Sequence, residues 1–235
     1  MGKRIIFEEI CNFRDLDNFN KGDSLYTKSN KIFRSSMLFG PTKKDQQLFD
    51  SLSIKSIIDL RSPMEITKLE NPYRNHVPYY LPVNLSGKQS NGRLLELAKE
   101  HPTDNFMSIR YIEYIENGRE EIIRLFQFLL SDKHLPVVIH CSAGKDRTGL
   151  IVYLLLSLHQ VPLEEILADY QISYTFIKND ERIIKDTNTL NIYDSHPNNL
   201  ALFHQEFIEQ YKSIDNYFLT LGFSNTDIEK LKNIL

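Results

Sequence analysis

Cys141 and Arg147 stand with five residues between them, in a run whose turn is made of small side chains, Ser142, Ala143 and Gly144. A thiol becomes a strong nucleophile when its thiolate is stabilised, and backbone N–H donors at the start of a helix do this. A guanidinium offers a planar fork that matches two phosphate oxygens, which an ammonium does not. A thiolate and a phosphate share one cradle only when phosphorus comes within bonding reach of sulfur. The pair therefore points to phosphoryl transfer through a cysteinyl-phosphate intermediate.

The flanking residues supply the elements that such a cradle needs. Val137 to Ile139 is an uninterrupted apolar, β-branched run, as expected for a strand covered on both faces. Ala143 and Gly144 let the backbone turn tightly. Leu150, Ile151, Leu154, Leu155 and Leu158 recur at helical spacing, so a buried helix is expected to start near Asp146 or Arg147. A second strand is read from Ile54 to Leu60. If it lies beside the first, its end brings Asp59 and Arg61 to the same rim, because ligands of open parallel sheets bind beyond the carboxyl ends of strands.

The ten residues His140 to Gly149 (His-Cys-Ser-Ala-Gly-Lys-Asp-Arg-Thr-Gly) resemble the phosphate-binding loop of the cysteine-dependent protein tyrosine phosphatase superfamily. The Ala-Gly-Lys-Asp-Arg interior resembles the bacterial and fungal tyrosine-phosphatase-like branch of dual or triple specificity. Asn12 to Leu16, the Arg34-Ser35 pair, Asp59-Leu60-Arg61, Asp169-Tyr170 with Ser173, and the run from Tyr217 to Ser224 are similar to further pieces of that branch. The resemblance implies an α/β fold with a central, mostly parallel twisted sheet flanked by helices, a helical insertion and a helical C-terminus. It also implies a phosphorylated protein or phosphoinositide as substrate.

Within this reading Cys141 is the nucleophile and Arg147 binds the equatorial phosphate oxygens. Ser142, Ala143, Gly144 and Lys145 form the cradle, and the Thr148 hydroxyl is expected to donate to the sulfur. Lys145 adds a second cation, which would suit a substrate with more than one phosphate. His140 reads as a holder of the loop rather than a base, since a base must reach the proton it moves. The leaving group needs an acid. With no Trp in the chain, the Trp-Pro-Asp loop of the larger receptor-type phosphatases is absent. Two candidates remain, Asp146, which the resemblance implies, and Asp59. Arg14 and Arg34 read equally well as an extension of the positive field or as ordinary ion-paired residues.

The rest of the chain narrows the field. Among 235 residues with a formal charge of −3, no basic face of the kind a nucleic-acid-binding body carries is expected. Cys11 and Cys141 are the only cysteines and do not suggest a disulfide framework. Glu8 and Glu9 stand where a signal peptide needs an apolar core, and no run reaches the length of a membrane span. A protein of a reducing compartment, with cytoplasm the default and export without a signal peptide left open, is the expectation. No His, Cys and carboxylate cluster has metal-ligand spacing, and the chemistry calls for no cofactor. One domain is expected over 1–235. Two helical stretches, Arg93 to Lys99 and Asn105 to Glu116, split by His101-Pro102, are read either as a cover over the site or as a plain layer on the sheet. Sulfur transfer of the rhodanese kind and a silent phosphate-binding module are the competing functions.

Overall fold

The computed structural model describes residues 2–22, 25–86, 93–100, 106–184 and 194–235, except for the side chains of 94 and 95. The expected break at His101-Pro102 lies outside the described residues. Strands β1 (Arg14–Asp15), β2 (Ile32–Ser35), β3 (Ser56–Asp59), β4 (Tyr79–Pro82) and β5 (Val137–His140) form one sheet in the order β1-β2-β5-β3-β4. Only β1 runs antiparallel to its neighbour. The carboxyl ends of β2, β5 and β3 are in step, with Ser35 and Asp59 both level with His140. That register brings three strand ends to one rim. β4, whose Pro82 lacks a ladder donor, occupies an edge as its prolines require.

Alternation along the strands divides the core in two. Ile32, Ile58, Val137 and Ile139 face one way, onto α4 (Phe106–Asn117), α5 (Arg119–Leu129) and α6 (Asp146–Leu158). Phe33, Ile57 and Val138 face the other way, onto Phe7, Phe13, Phe49 and Tyr73. Phe49 belongs to α1 (Lys43–Ser51), whose start is fixed by a reciprocal Thr42–Asp45 capping box. Buried on both faces, the central strands need their unbroken β-branched sequence.

α6 is sunk in the core from Thr148 to Leu156. Around it lie α7 (Leu163–Ile177), α8 (Pro197–Tyr211), α9 (Ile214–Thr220) and α10 (Asn225–Leu231). The last helix ends at Leu231, short of Leu235. The closing residues turn back instead, burying Ile234 and Leu235, and the Leu235 amide donates to Nε2 of His159 at 3.1 Å. No helix among the described residues is long and apolar enough to cross a membrane. α3 (Arg93–Glu100) and α4 reconcile the two readings of their region: α4 buries Met107, Tyr111 and Ile115 in the core yet turns Arg110 and Tyr114 to the site's cavity.

Candidate active site

Beyond the end of β5 the chain makes a tight loop and enters α6 at Asp146. Gly144 holds φ at +66°, and a Cβ there would lie 2.2 Å from the Ser35 carbonyl oxygen, so both conformation and space demand glycine. The loop's carbonyls are taken from behind. Met37 N–H donates to Ser142 O at 3.0 Å, and Asn12 Nδ2 donates to Ala143 O and Gly144 O, each at 3.0 Å. Arg34 Nη2 also donates to Gly144 O at 2.7 Å. In a trans peptide the next N–H points opposite to the carbonyl. The amides of Ala143, Gly144 and Lys145 are thereby turned toward the other side, at the amino end of α6.

A cavity of about 540 Å³ opens on that side. Cys141, 2 % exposed, lines it together with Ser142, Ala143, Lys145, Asp146 and Arg147. Arg61, Glu65, Lys68, Arg110 and Arg182 complete its charged wall.

Glu65, in the first turn of α2 (Pro63–Lys68), is the residue sequence reading missed. It caps that helix, accepting from Ser62 N–H at 2.8 Å, and its carboxylate forks onto Arg147 at 2.7 and 2.8 Å. The Ser142 hydroxyl donates to it at 2.6 Å. Burial opposes its charge, but Arg147 holds the Glu65 carboxyl well below the usual carboxylate range. Burial likewise opposes the charge of Arg147, and Glu65 with the Cys141 sulfur nearby outweighs it, so this guanidinium stays protonated. The signal was present as Ser62-x-x-Glu65, a capping box directly after Asp59-Leu60-Arg61.

The two candidate acids occupy different surroundings. Asp146 lines the cavity, and its Oδ1 accepts from the Tyr111 hydroxyl at 2.7 Å. Asp59 is fully buried and is clamped by Arg61, whose Nε and Nη2 lie at 2.9 and 2.7 Å, and by Tyr80 Oη at 2.7 Å. Burial raises its pKa, yet His140 and Arg61 overcome this and hold the carboxyl far below its ordinary value. Arg61 reaches the cavity wall, but its fork is spent on Asp59 and on Leu69 O. His140 is fully buried. Its Nε2 lies 3.0 Å from Asn71 Nδ2 and 3.4 Å from Asp59 Oδ2, and its Nδ1 lies 3.1 Å from Cys141 O, contacts of a loop holder.

One open reading is decided and two sequence expectations are corrected. Arg14 and Arg34 do not extend the field toward a ligand. Both are buried, and both pair with Asp169 of α7, Arg14 Nε at 2.7 Å and Arg34 Nη1 at 2.5 Å. Asp169 thus anchors two cations, one of which holds the phosphate loop. Lys145 is not an exposed cation at the mouth: it is 1 % exposed, donates to Asp194 O at 2.6 Å and lies 3.5 Å from Asp146 Oδ1. The Thr148 hydroxyl makes no bond to Cys141 sulfur; it is buried and has no hydrogen-bond partner among the described residues. Among those residues no group of three or more His, Cys, Asp or Glu side chains converges as a metal site.

A family model described as "Tyrosine phosphatase family" matches residues 5–235. A tyrosine-protein phosphatase of Nostoc commune is 26 % identical over 210 residues, which cover 81 % of this chain and 69 % of that one. A triple specificity protein phosphatase of Mycobacterium tuberculosis is 23 % identical, with 95 % of this chain and 96 % of that one aligned. An inositol diphosphatase of Arabidopsis thaliana is 30 % identical over 60 % of this chain and 59 % of its own.

Proposed function

The chain belongs to the tyrosine phosphatase family, and on that premise we propose that it hydrolyses phosphotyrosine through a cysteinyl-phosphate on Cys141. The observation that carries this reading is the cavity in which Cys141 shares one loop with inward-turned amides and the Arg147 guanidinium. The Cys141 thiolate attacks phosphorus, and Arg147 with the amides of residues 143–145 takes up charge on the equatorial oxygens. As the phosphorus–oxygen bond breaks, Asp146 gives its proton to the leaving phenoxide. Water then cleaves the sulfur–phosphorus bond, its proton passing to Asp146 carboxylate, and inorganic phosphate leaves. Asp59 does not serve as the acid in this scheme, because its clamped, ionised carboxylate lies outside the cavity lining.

Phosphate release from a phosphotyrosine peptide tests the proposal. Turnover abolished in Cys141→Ser, with the phosphopeptide still bound, is expected. Undiminished turnover in that variant rejects the covalent route.

A second substrate class is favoured by one observation. Beyond the loop, Lys68 stands on the cavity wall with Arg110 and Arg182, the last two paired with Glu113 and with Glu9 and Asp180. Inositol phosphates are the class this charge suits. Release from them at rates matching the phosphotyrosine peptide would establish it.

A further inference from the structure

The acid in the proposed scheme does not stand alone. Tyr111, fully buried on α4, donates its hydroxyl to Asp146 Oδ1 at 2.7 Å, and the Tyr111 hydroxyl oxygen lies 2.8 Å from the Tyr170 hydroxyl on α7. Each phenol carries one proton. With Tyr111 spending its own on the carboxylate, the bond between the phenols runs from Tyr170 to Tyr111. Asn199 on α8 completes the line by a side-chain hydrogen bond to Tyr170. Burial, followed by the Asp146 charge, keeps both phenols protonated far above their ordinary range.

We propose that Tyr111 is the positioning residue of the general acid. Its donation to Oδ1 leaves Oδ2 as the carboxyl oxygen that carries the transferable proton, and it stabilises the carboxylate formed when that proton departs. The inference rests on the reading of Asp146 as the acid. It also explains a packing oddity: three helices converge behind one loop residue with two tyrosines whose hydroxyls reach no solvent. Lys145 Nζ lies 3.5 Å from Asp146 Oδ1, Tyr111 donates to that oxygen with Tyr170 behind it, and Cys141, Arg147 and Arg110 line the same cavity. Lys145, Arg147 and Arg110 all remain when Tyr111 is removed, so its loss takes one donor from Asp146 Oδ1 without neutralising the site.

The test compares wild type, Tyr111→Phe, Asp146→Asn and the double variant. Each is assayed on aryl phosphates running from a good leaving group (4-nitrophenyl) to a poor one (phenyl), across pH. Tyr111→Phe is expected to lower kcat/KM for phenyl phosphate by about tenfold and to leave 4-nitrophenyl phosphate little changed. On the Asp146→Asn background the same substitution is expected to add nothing. Equal loss on every leaving group would overturn the inference while leaving Asp146 as the acid. A leaving-group dependence in Asp146→Asn no steeper than wild type would overturn the acid assignment, and the inference with it. Should Tyr111→Phe fail to fold, Tyr170→Phe breaks the same line one bond further back and is judged by the same criteria, with a smaller effect of the same pattern.

Discussion

Replacing Asp169 by Asn removes the one negative charge that two buried guanidiniums share. Arg14 and Arg34 are each about 1 % exposed, and their nearest carboxylate oxygens are the two oxygens of Asp169. Burial and then the neighbouring Arg34 charge already bring Arg14 down to about 10. Without Asp169 both cations would face one another in a medium that cannot hydrate them. Removing one partner of a buried pair costs about 3–5 kcal/mol, and here two cations lose the same partner, which sets the upper half of that range. For a chain of this size about 1 kcal/mol corresponds to about 2–4 °C, so the melting temperature is expected to fall by about 8–20 °C. Thermal unfolding followed by circular dichroism at pH 7 reads it. The pH dependence has a definite sign. Burial opposes the Asp169 charge, the two arginines outweigh it, and the folded carboxyl titrates below its unfolded value. Its contribution is therefore present above the unfolded pKa, about 3.9, and lost as pH falls through the folded one. Wild type is expected to lose this increment below about pH 4, and the Asn variant to have none to lose. A melting shift under about 3 °C would refute the reasoning, because the two arginines would then not depend on this carboxylate.

Two further outcomes are expected. Glu65→Gln keeps the shape of the contact but removes its charge, so Arg147 loses its aim and kcat is expected to fall by about tenfold, as a small misplacement of a charged clamp does. Inorganic phosphate should inhibit this variant at least as tightly as wild type, and weaker inhibition would contradict a role for Glu65 as the carboxylate that a phosphate displaces. His159 is 2 % exposed, its Nδ1–H donating to Leu155 O at 2.8 Å while Nε2 accepts from Leu235, and burial pushes its pKa down to about 4. The neutral ring is the one the fold selects. Up to about 3 kcal/mol of stability is thus present above pH 6.5 and lost between about pH 6.5 and 4. His159→Gln is expected to flatten that slope in urea-unfolding curves taken across the interval, and an unaltered slope would contradict it.

What could be read in advance was local. Val137 to Leu158 announces strand, loop and helix because its β-branched run, its small residues and its helical repeat are contiguous, and each responds to its own neighbours. The parallel register of β3 on β5 followed from one assumption about adjacency, and it brings Asp59 beside His140. The residues that escaped act across long separations. Glu65 reaches Arg147 across 82 positions and Arg14 reaches Asp169 across 155. No periodicity encodes such pairs. An arginine looks the same in sequence whether it faces solvent or a buried carboxylate, which is why Arg14 and Arg34 were open between field and anchor. Tyr111 is not singled out within the helical stretch Asn105 to Glu116, because its hydroxyl finds its partner 35 positions away.

The charges around the cavity explain how a loop so rich in cations stays folded before any phosphate arrives. Arg34 is balanced by Asp169, Arg61 by Asp59, and Lys145 lies beside Asp146. Arg147 carries five N–H donors. Its Nη1 serves Leu60 O and Glu65, and its Nη2 serves Glu65 and the Ser142 hydroxyl. The Ser142 hydroxyl in turn donates to Glu65, closing a ring. A phosphate dianion entering the cradle therefore gains the full fork of Arg147 only by exchange, taking donors that Glu65 and Ser142 release. That exchange costs ground-state affinity. It becomes favourable as charge accumulates on the equatorial oxygens, because Glu65 carries one negative charge and the transferring phosphoryl group draws on the amides as well. Interactions that strengthen only as charge develops raise turnover rather than tighten substrate binding, so Glu65→Gln separates kcat from phosphate affinity where a plain structural brace would lower both.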